Sequence, residues 1–139
     1  GKGVNKKNVL LNNLIKKNNL EKNIILYGET RFPQKLITSF DINVISSLSE
    51  SSPLALMEAM ATGIPTVATN VGSIKETLGQ TGWVVKNNSP QDLADKLIYI
   101  IDNKSSLKNK SNLARERVIS KYSQKQMLKG YELIYKLYL

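Results

Sequence analysis

Ile42-Asn-Val-Ile-Ser-Ser-Leu-Ser-Glu50-Ser-Ser-Pro-Leu-Ala-Leu-Met-Glu58-Ala-Met-Ala-Thr-Gly63-Ile-Pro-Thr66-Val-Ala-Thr69 is the stretch on which the fold turns. It reads as a short apolar strand over 42–45, a polar turn carrying Glu50, a helix opening at Pro53, a stop at Gly63 and a second apolar strand over 66–68. Two apolar strands joined through a helix predict a parallel pair with a crossover connection. In an open parallel sheet, ligands settle at the carboxyl ends of the strands, where helix amino termini also point their unpaired N–H groups. Residues 46–52 form that loop. Ser52 is expected to cap the helix and Pro53 to take its first position. A serine-rich loop leading into a row of amides suits a phosphate; the alternative is an ordinary capped strand-to-helix turn.

The helix carries a second signal. From Pro53 to Ala61 every residue but Glu58 is apolar, which predicts burial all round, with Glu58 on the stripe Leu54, Met57, Glu58, Ala61. A lone carboxylate on a core-facing stripe is costly unless it is paired or hydrogen-bonded, and no Lys or Arg stands three or four residues away. A ligand diol would satisfy it. So would a distant Lys or Arg, or a helix end that leaves Glu58 at the sheet edge, and the residues alone leave these open.

Composition narrows the chemistry. The 139 residues suit one domain with a single core. There is no Cys and no His, so no disulfide, thiol nucleophile or imidazole base is offered. Only 11 acids are present and no Asp-x-Asp pair occurs, which argues against a carboxylate-held magnesium; no bound metal or cofactor is expected. The formal charge is +9, but the lysines of 2–17 and 104–136 are spread around helices and mixed with Asn, with Arg115 and Arg117 the one close pair of arginines. That distribution reads as a solvated surface, with no nucleic-acid partner expected. No apolar run reaches the roughly 20 residues of a membrane span and no secretory leader is evident, so a cytoplasmic chain is expected, with peripheral association at the inner face of the membrane left open.

Along the rest of the chain, Val9, Leu10, Leu14 and Ile15 predict a first helix ended at Asn18 and Asn19. Residues 24–27 read as a strand closed by Gly28. Val71-Gly72-Ser73 opens a short helix over 74–78, and its glycine permits close approach of backbone amides to a phosphate or sugar. Residues 82–85 read as a last strand. Ser89-Pro90 then starts an amphipathic helix on Leu93, Leu97, Ile98 and Ile101. From Ser105 the pattern is helical to the end, broken near Tyr122 and Ser123. Its last stretch carries the apolar stripe Met127, Leu128, Tyr131, Ile134, Tyr135, Tyr138.

Glu50 and Glu58 bracket seven residues. They are joined to Glu58-Ala-Met-Ala-Thr-Gly-Ile-Pro65 and to Val71-Gly-Ser-Ile-Lys-Glu76. The joined motif resembles the nucleotide-sugar site of family 4 retaining glycosyltransferases of the GT-B fold, with weaker similarity over 20–48 and through Trp83 and Val84 to the helix at Asp92. The resemblance implies an α/β, Rossmann-like parallel sheet flanked by helices, the donor-binding half of such an enzyme, without its amino-terminal strands. Residues 1–122 would form the donor domain, and the helix of 123–139 would cross back to an acceptor domain. Glu58 is then expected to bind the donor's ribose hydroxyls, and Glu50, as the catalytic residue, to approach the transferred sugar and help position it in the transition state. Ser51, Ser52, Pro53 and Leu54 would present main chain around diphosphate and sugar, Gly72 would lie close by, and Gly28, Arg31 and Phe32 are candidates to touch the base. Against the last, Phe32 and Pro33 can simply pack and start a helix.

Two departures stand out. The family's diphosphate-gripping Arg and Lys have no match here, with Lys2 and Lys6 poorly placed for the role. Ser51-Ser52 replaces the usual Gly and aromatic, which leaves the donor's identity open. The implied partners are a nucleotide-sugar donor and a glycan or lipid-linked acceptor held by another domain, as in cell-surface polysaccharide synthesis. The competing functions are a basic module for nucleic acid or membrane, and a GT-B nucleotide-sugar epimerase. The latter leans on histidine, which this sequence lacks.

Overall fold

The computed structural model describes residues 3–138 and divides the chain into two compact units, Gly1–Pro33 and Gln34–Leu139. Lys2 lies outside the described residues, as do Gly1 and Leu139.

In the first unit, helix α1 (Val9–Lys17) starts where Asn8 Oδ1 accepts from the Leu11 amide at 3.0 Å, and it ends at Asn18, followed by Asn19 with φ 54°. Lys16 and Lys17 occupy the last turn, where cations suit the helix dipole. The expected strand over 24–27 is absent: Tyr27 makes one antiparallel bridge to Asn5, and Ile25 is 83% exposed. Four apolar residues become a strand only if a neighbouring backbone supplies the ladder, and a local pattern cannot name that neighbour.

The second unit is the predicted parallel unit extended by one strand. Helix α2 (Pro33–Ile37) leads to β1 (Asn43–Ile45), followed by helix α3 (Leu54–Ala61), β2 (Thr66–Thr69), helix α4 (Ile74–Leu78) and β3 (Trp83–Val85). The order is β1-β2-β3 and both pairs are parallel, with Val44 opposite Val67 and Ala68 opposite Val84. β2 is buried along its whole length, as a central strand covered on both faces must be. One core joins Ile45, Leu56, Met60, Ala68, Ile74, Leu78 and Ala114; a second joins Val67, Val85 and Ile100.

Helix α5 (Pro90–Asp102) opens as expected, with Ser89 Oγ accepting from the Asp92 amide and Pro90 in the first turn. Ile100 is its buried residue, with the expected Leu93 and Leu97 partly buried beside it, whereas the expected Ile98 and Ile101 are exposed. Which of Ile98, Ile100 and Ile101 faces the sheet depends on the helix's rotation against it, which an apolar run leaves open. Helix α6 (Ser105–Arg117) runs into a π-helical turn (Val118–Tyr122); Ser123 is extended, and helix α7 (Gln124–Tyr138) follows with no buried residue. Among the described residues no helix is long and apolar enough to cross a membrane.

Candidate functional site

The loop after β1 is tied, residue by residue, to the carboxyl ends of the other strands. Thr69, buried at the end of β2, donates its hydroxyl to the Ser47 carbonyl at 2.6 Å. Asn87, just past β3, donates Nδ2 to the Leu48 carbonyl at 3.1 Å. The Ser73 amide donates to the Ser51 carbonyl at 2.9 Å. Gly72, with φ 51°, lies against the Glu50–Ser51 backbone so closely that a Cβ there would stand 2.1 Å from the Glu50 carbonyl oxygen and 2.6 Å from that of Ser51. Only glycine fits this position. Ser47 Oγ donates to Glu50 Oε1 at 2.8 Å, which orients a half-buried carboxylate within the loop.

Glu50, Ser51 and Gly72 are therefore brought together. The turn around Gly72 does not offer a free row of amides, because Val71 N and Ser73 N already donate to the Thr69 and Ser51 carbonyls. Sequence reasoning passed over Ser47, Thr69 and Asn87. Ser47 lay in the serine-rich loop three residues before Glu50, a visible signal; Thr69 and Asn87 act across strands and had none.

The helix start differs from expectation. Pro53, not Ser52, is the cap, with ψ 117° outside the helical range and no side-chain hydrogen bond to the first turn. A proline ring has no acceptor, so the amides of Leu54 and Ala55 carry no side-chain cap from it, and the helix end stays open to an anion. At the other end Gly63 (φ 75°) and Ile64 donate to the Met60 and Ala59 carbonyls at 3.0 and 2.8 Å, the paired pattern that closes a helix on a left-handed glycine.

Burial all round is also corrected. Leu56, Ala59 and Met60 face the core, while Leu54 is 71% exposed and Ala55 and Ala61 are exposed with it. A helix of eight residues on one side of a three-stranded sheet has one face to bury, and its small residues tolerate the other. Glu58 lies on the outer side, half-buried, one turn after Leu54. Among the described residues its carboxylate has no hydrogen-bond or ion-pair partner. It is reachable, and no buried cation occupies it.

Gly28, Arg31 and Phe32 belong to the first unit. Gly28 has φ 86° and sits against Asn5, Arg31 is exposed, and Phe32 is 61% exposed, with its amide 3.1 Å from Thr30 Oγ1. Pro33 opens α2 as the packing alternative required, but Phe32 does not enter a core.

Lys110, Arg115 and Arg117 of α6 bond to backbone carbonyls of other elements. Arg117 donates Nε to the Thr77 carbonyl at 2.8 Å and Nη2 to that of Glu76 at 2.7 Å, covering the end of α4. Arg115 donates to the Ala61 carbonyl at 3.0 Å, and Ser111 to that of Gly63. Lys110 donates to the Gln80 carbonyl and stands over the Trp83 ring at 5.7 Å. Cations placed on the carbonyl ends of helices and turns stabilise them and are not arrayed for a phosphate backbone.

A pocket of about 340 Å³ opens at the strand ends among Ser46, Leu48, Thr69, Asn88 and Pro90. A larger one, about 520 Å³, lies before the amino end of β1 among Phe40, Asp41, Ile42, Ile101 and Lys104. The second lies at the wrong end of the sheet for the strand-end chemistry, so size does not locate the site. Among the described residues, no group of three or more Asp or Glu is placed to hold a metal ion.

Comparison with known proteins agrees with this fold. The family described as glycosyl transferases group 1 matches residues 1–117. N-acetyl-alpha-D-glucosaminyl L-malate synthase of Bacillus anthracis is 30% identical over 124 residues, 88% of this chain and 32% of that protein. Poly(ribitol-phosphate) alpha-N-acetylglucosaminyltransferase of Staphylococcus aureus (strain COL) is 31% identical over 118 residues, 83% of this chain and 24% of that one. The chain thus spans a third or less of the length of these relatives. Among solved structures, a variant of TarM from S. aureus in complex with Fondaparinux, alpha-GlcNAc-glycerol and UDP superimposes with a TM-score of 0.79 at 28% identity, over 91% of this chain and 26% of TarM. The parallel sheet flanked by helices is the Rossmann-like fold of a GT-B glycosyltransferase domain. The chain belongs to the group 1 glycosyl transferases.

Proposed function

We propose that this domain holds the nucleotide-sugar donor of a retaining glycosyltransferase of family 4, which passes the sugar to a glycan or lipid-linked acceptor in cell-surface polysaccharide synthesis. The observation that carries the reading is the pairing of an open helix end with a reachable, unpartnered carboxylate one turn further on. A turn advances about 5.4 Å, close to the step from a diphosphate to the ribose it esterifies. The diphosphate sits at the amides of Leu54 and Ala55, and Glu58 accepts from both ribose hydroxyls, a charge-assisted pair of hydrogen bonds. Glu50, in the loop that precedes the helix, faces the transferred sugar and stabilises its developing positive charge.

As the glycosidic bond breaks, the leaving diphosphate gains negative charge, and amides already pointed at it lower the barrier without reorganising. The reaction runs without a protein-held metal, in keeping with a sequence that has neither His nor Cys. Retention follows if the acceptor enters on the face the diphosphate leaves. UDP-N-acetylglucosamine is the donor to try first, because the TarM structure contains UDP and both relatives are named for transfer of, or synthesis with, alpha-linked N-acetylglucosamine.

Titration calorimetry of the 139-residue chain with UDP and with its 2′,3′-dideoxy analogue tests the ribose contact. Glu58→Ala should weaken UDP about tenfold or more and leave the dideoxy analogue unchanged. Equal affinity of parent and variant for UDP would refute the assignment.

A further inference from the structure

We infer that Ser47 is a positioning residue for Glu50, one that sets where its carboxylate points without itself touching the donor. The inference rests on the role proposed for Glu50. Every backbone tie of the loop is independent of the Ser47 hydroxyl: Thr69 Oγ1 holds the Ser47 carbonyl, Asn87 Nδ2 the Leu48 carbonyl, and Ser73 N the Ser51 carbonyl, while Gly72 packs on the Glu50 peptide. These ties fix where the Glu50 Cα stands. They leave the side-chain torsions free, and the hydrogen bond from Ser47 Oγ to Oε1, 2.8 Å, is the contact that restrains them.

The chemistry matches the geometry. An ionised carboxylate accepts through two oxygens, and a donor on Oε1 leaves the other oxygen able to accept elsewhere. The bond is charge-assisted, hence stronger than a neutral one and able to hold a rotamer in a half-buried loop. A reacting group displaced by an ångström or left to sample several rotamers loses rate while substrate binding, carried elsewhere, is kept.

The separation of backbone and side-chain restraints makes the inference testable. In the full protein, UDP release from UDP-N-acetylglucosamine, with water as acceptor, is measured for the parent, Ser47→Ala, Ser47→Thr, Glu50→Gln and the double variant Ser47→Ala/Glu50→Gln. Ser47→Ala is expected to lower kcat at least about tenfold, with KM and thermal midpoint little changed. Ser47→Thr, which keeps the hydroxyl, should recover most of the rate. Adding Ser47→Ala to Glu50→Gln should cost nothing further, since the hydroxyl acts only through the carboxylate.

A rate loss for Glu50→Gln with none for Ser47→Ala would overturn the positioning role and leave the function standing. An active parent indifferent to Glu50→Gln would instead remove the function assigned to Glu50. Should the parent release no UDP, the carboxyl ¹³C resonances decide: Ser47→Ala must shift or broaden that of Glu50 and leave that of Glu58 in place, and an unmoved Glu50 signal overturns the inference.

Discussion

Gly72→Ala is the most informative single substitution, because its cost can be worked from two separate terms. The first is backbone conformation: φ at Gly72 is 51°, and an L side chain there costs about 1–2 kcal/mol. The second is contact. The new Cβ would meet the Glu50 carbonyl oxygen at 2.1 Å, where a carbon and an oxygen normally stand about 3.3 Å apart. The loop must therefore retreat by about 1.2 Å, which breaks or stretches the 2.9 Å bond from Ser73 N to the Ser51 carbonyl and removes about another 1 kcal/mol.

Together the terms amount to about 2–3 kcal/mol of a total stability on the order of 5–15 kcal/mol. At roughly 4 °C per kcal/mol for a chain of this size, the thermal midpoint should fall by about 8–12 °C. Gly3→Ala isolates the first term, since φ there is 79° and nothing lies within 4 Å of the added carbon. Urea unfolding of both variants checks the arithmetic. Gly72→Ala should lose at least about 1 kcal/mol more than Gly3→Ala, and should weaken UDP binding as well, because the displaced loop leads into the helix end. Equal losses for the two variants would refute the close approach of Gly72 to Glu50.

Two further outcomes test the packing around the site. Arg117→Ala removes both hydrogen bonds to the carbonyl end of α4 and should cost about 1–3 kcal/mol by urea unfolding. Lysine should recover less than half of that, lacking the planar fork that reaches Glu76 and Thr77 together. Gly130→Ala, in the middle of α7 with nothing within 4 Å of the new carbon, should stabilise the protein by up to about 1 kcal/mol; a loss would mean that this face of α7 is closely covered.

The alternation of apolar strand, helix and apolar strand between 42 and 69 was legible because it depends on local rules. Most strand residues were β-branched, Gly63 stopped the helix, and Ser89-Pro90 started another. The two acids at a strand-end loop and on the following helix were legible too, through spacing alone. Failures came where a residue's fate depends on its neighbours in space. Residues 24–27 had strand character and found one bridge. Ser52 was a plausible cap, but Pro53 took the position, because its ψ of 117° places the helix start one residue later. Glu58 was reached by a burial argument that the structure reverses: it stands on the outer side of α3, and its interest lies in being accessible and unpaired.

By itself the sequence determined the class of fold, since periodicity, caps and composition are properties of short segments. Tertiary structure alone decided which face of α3 is buried, that Gly72 must be glycine to lie against Glu50, that Arg115 and Arg117 close helix ends, and that Ser47 bonds the Glu50 carboxylate. These depend on groups distant in sequence meeting within hydrogen-bond range, and only the packed sheet brings Thr69, Gly72 and Asn87 to the loop after β1.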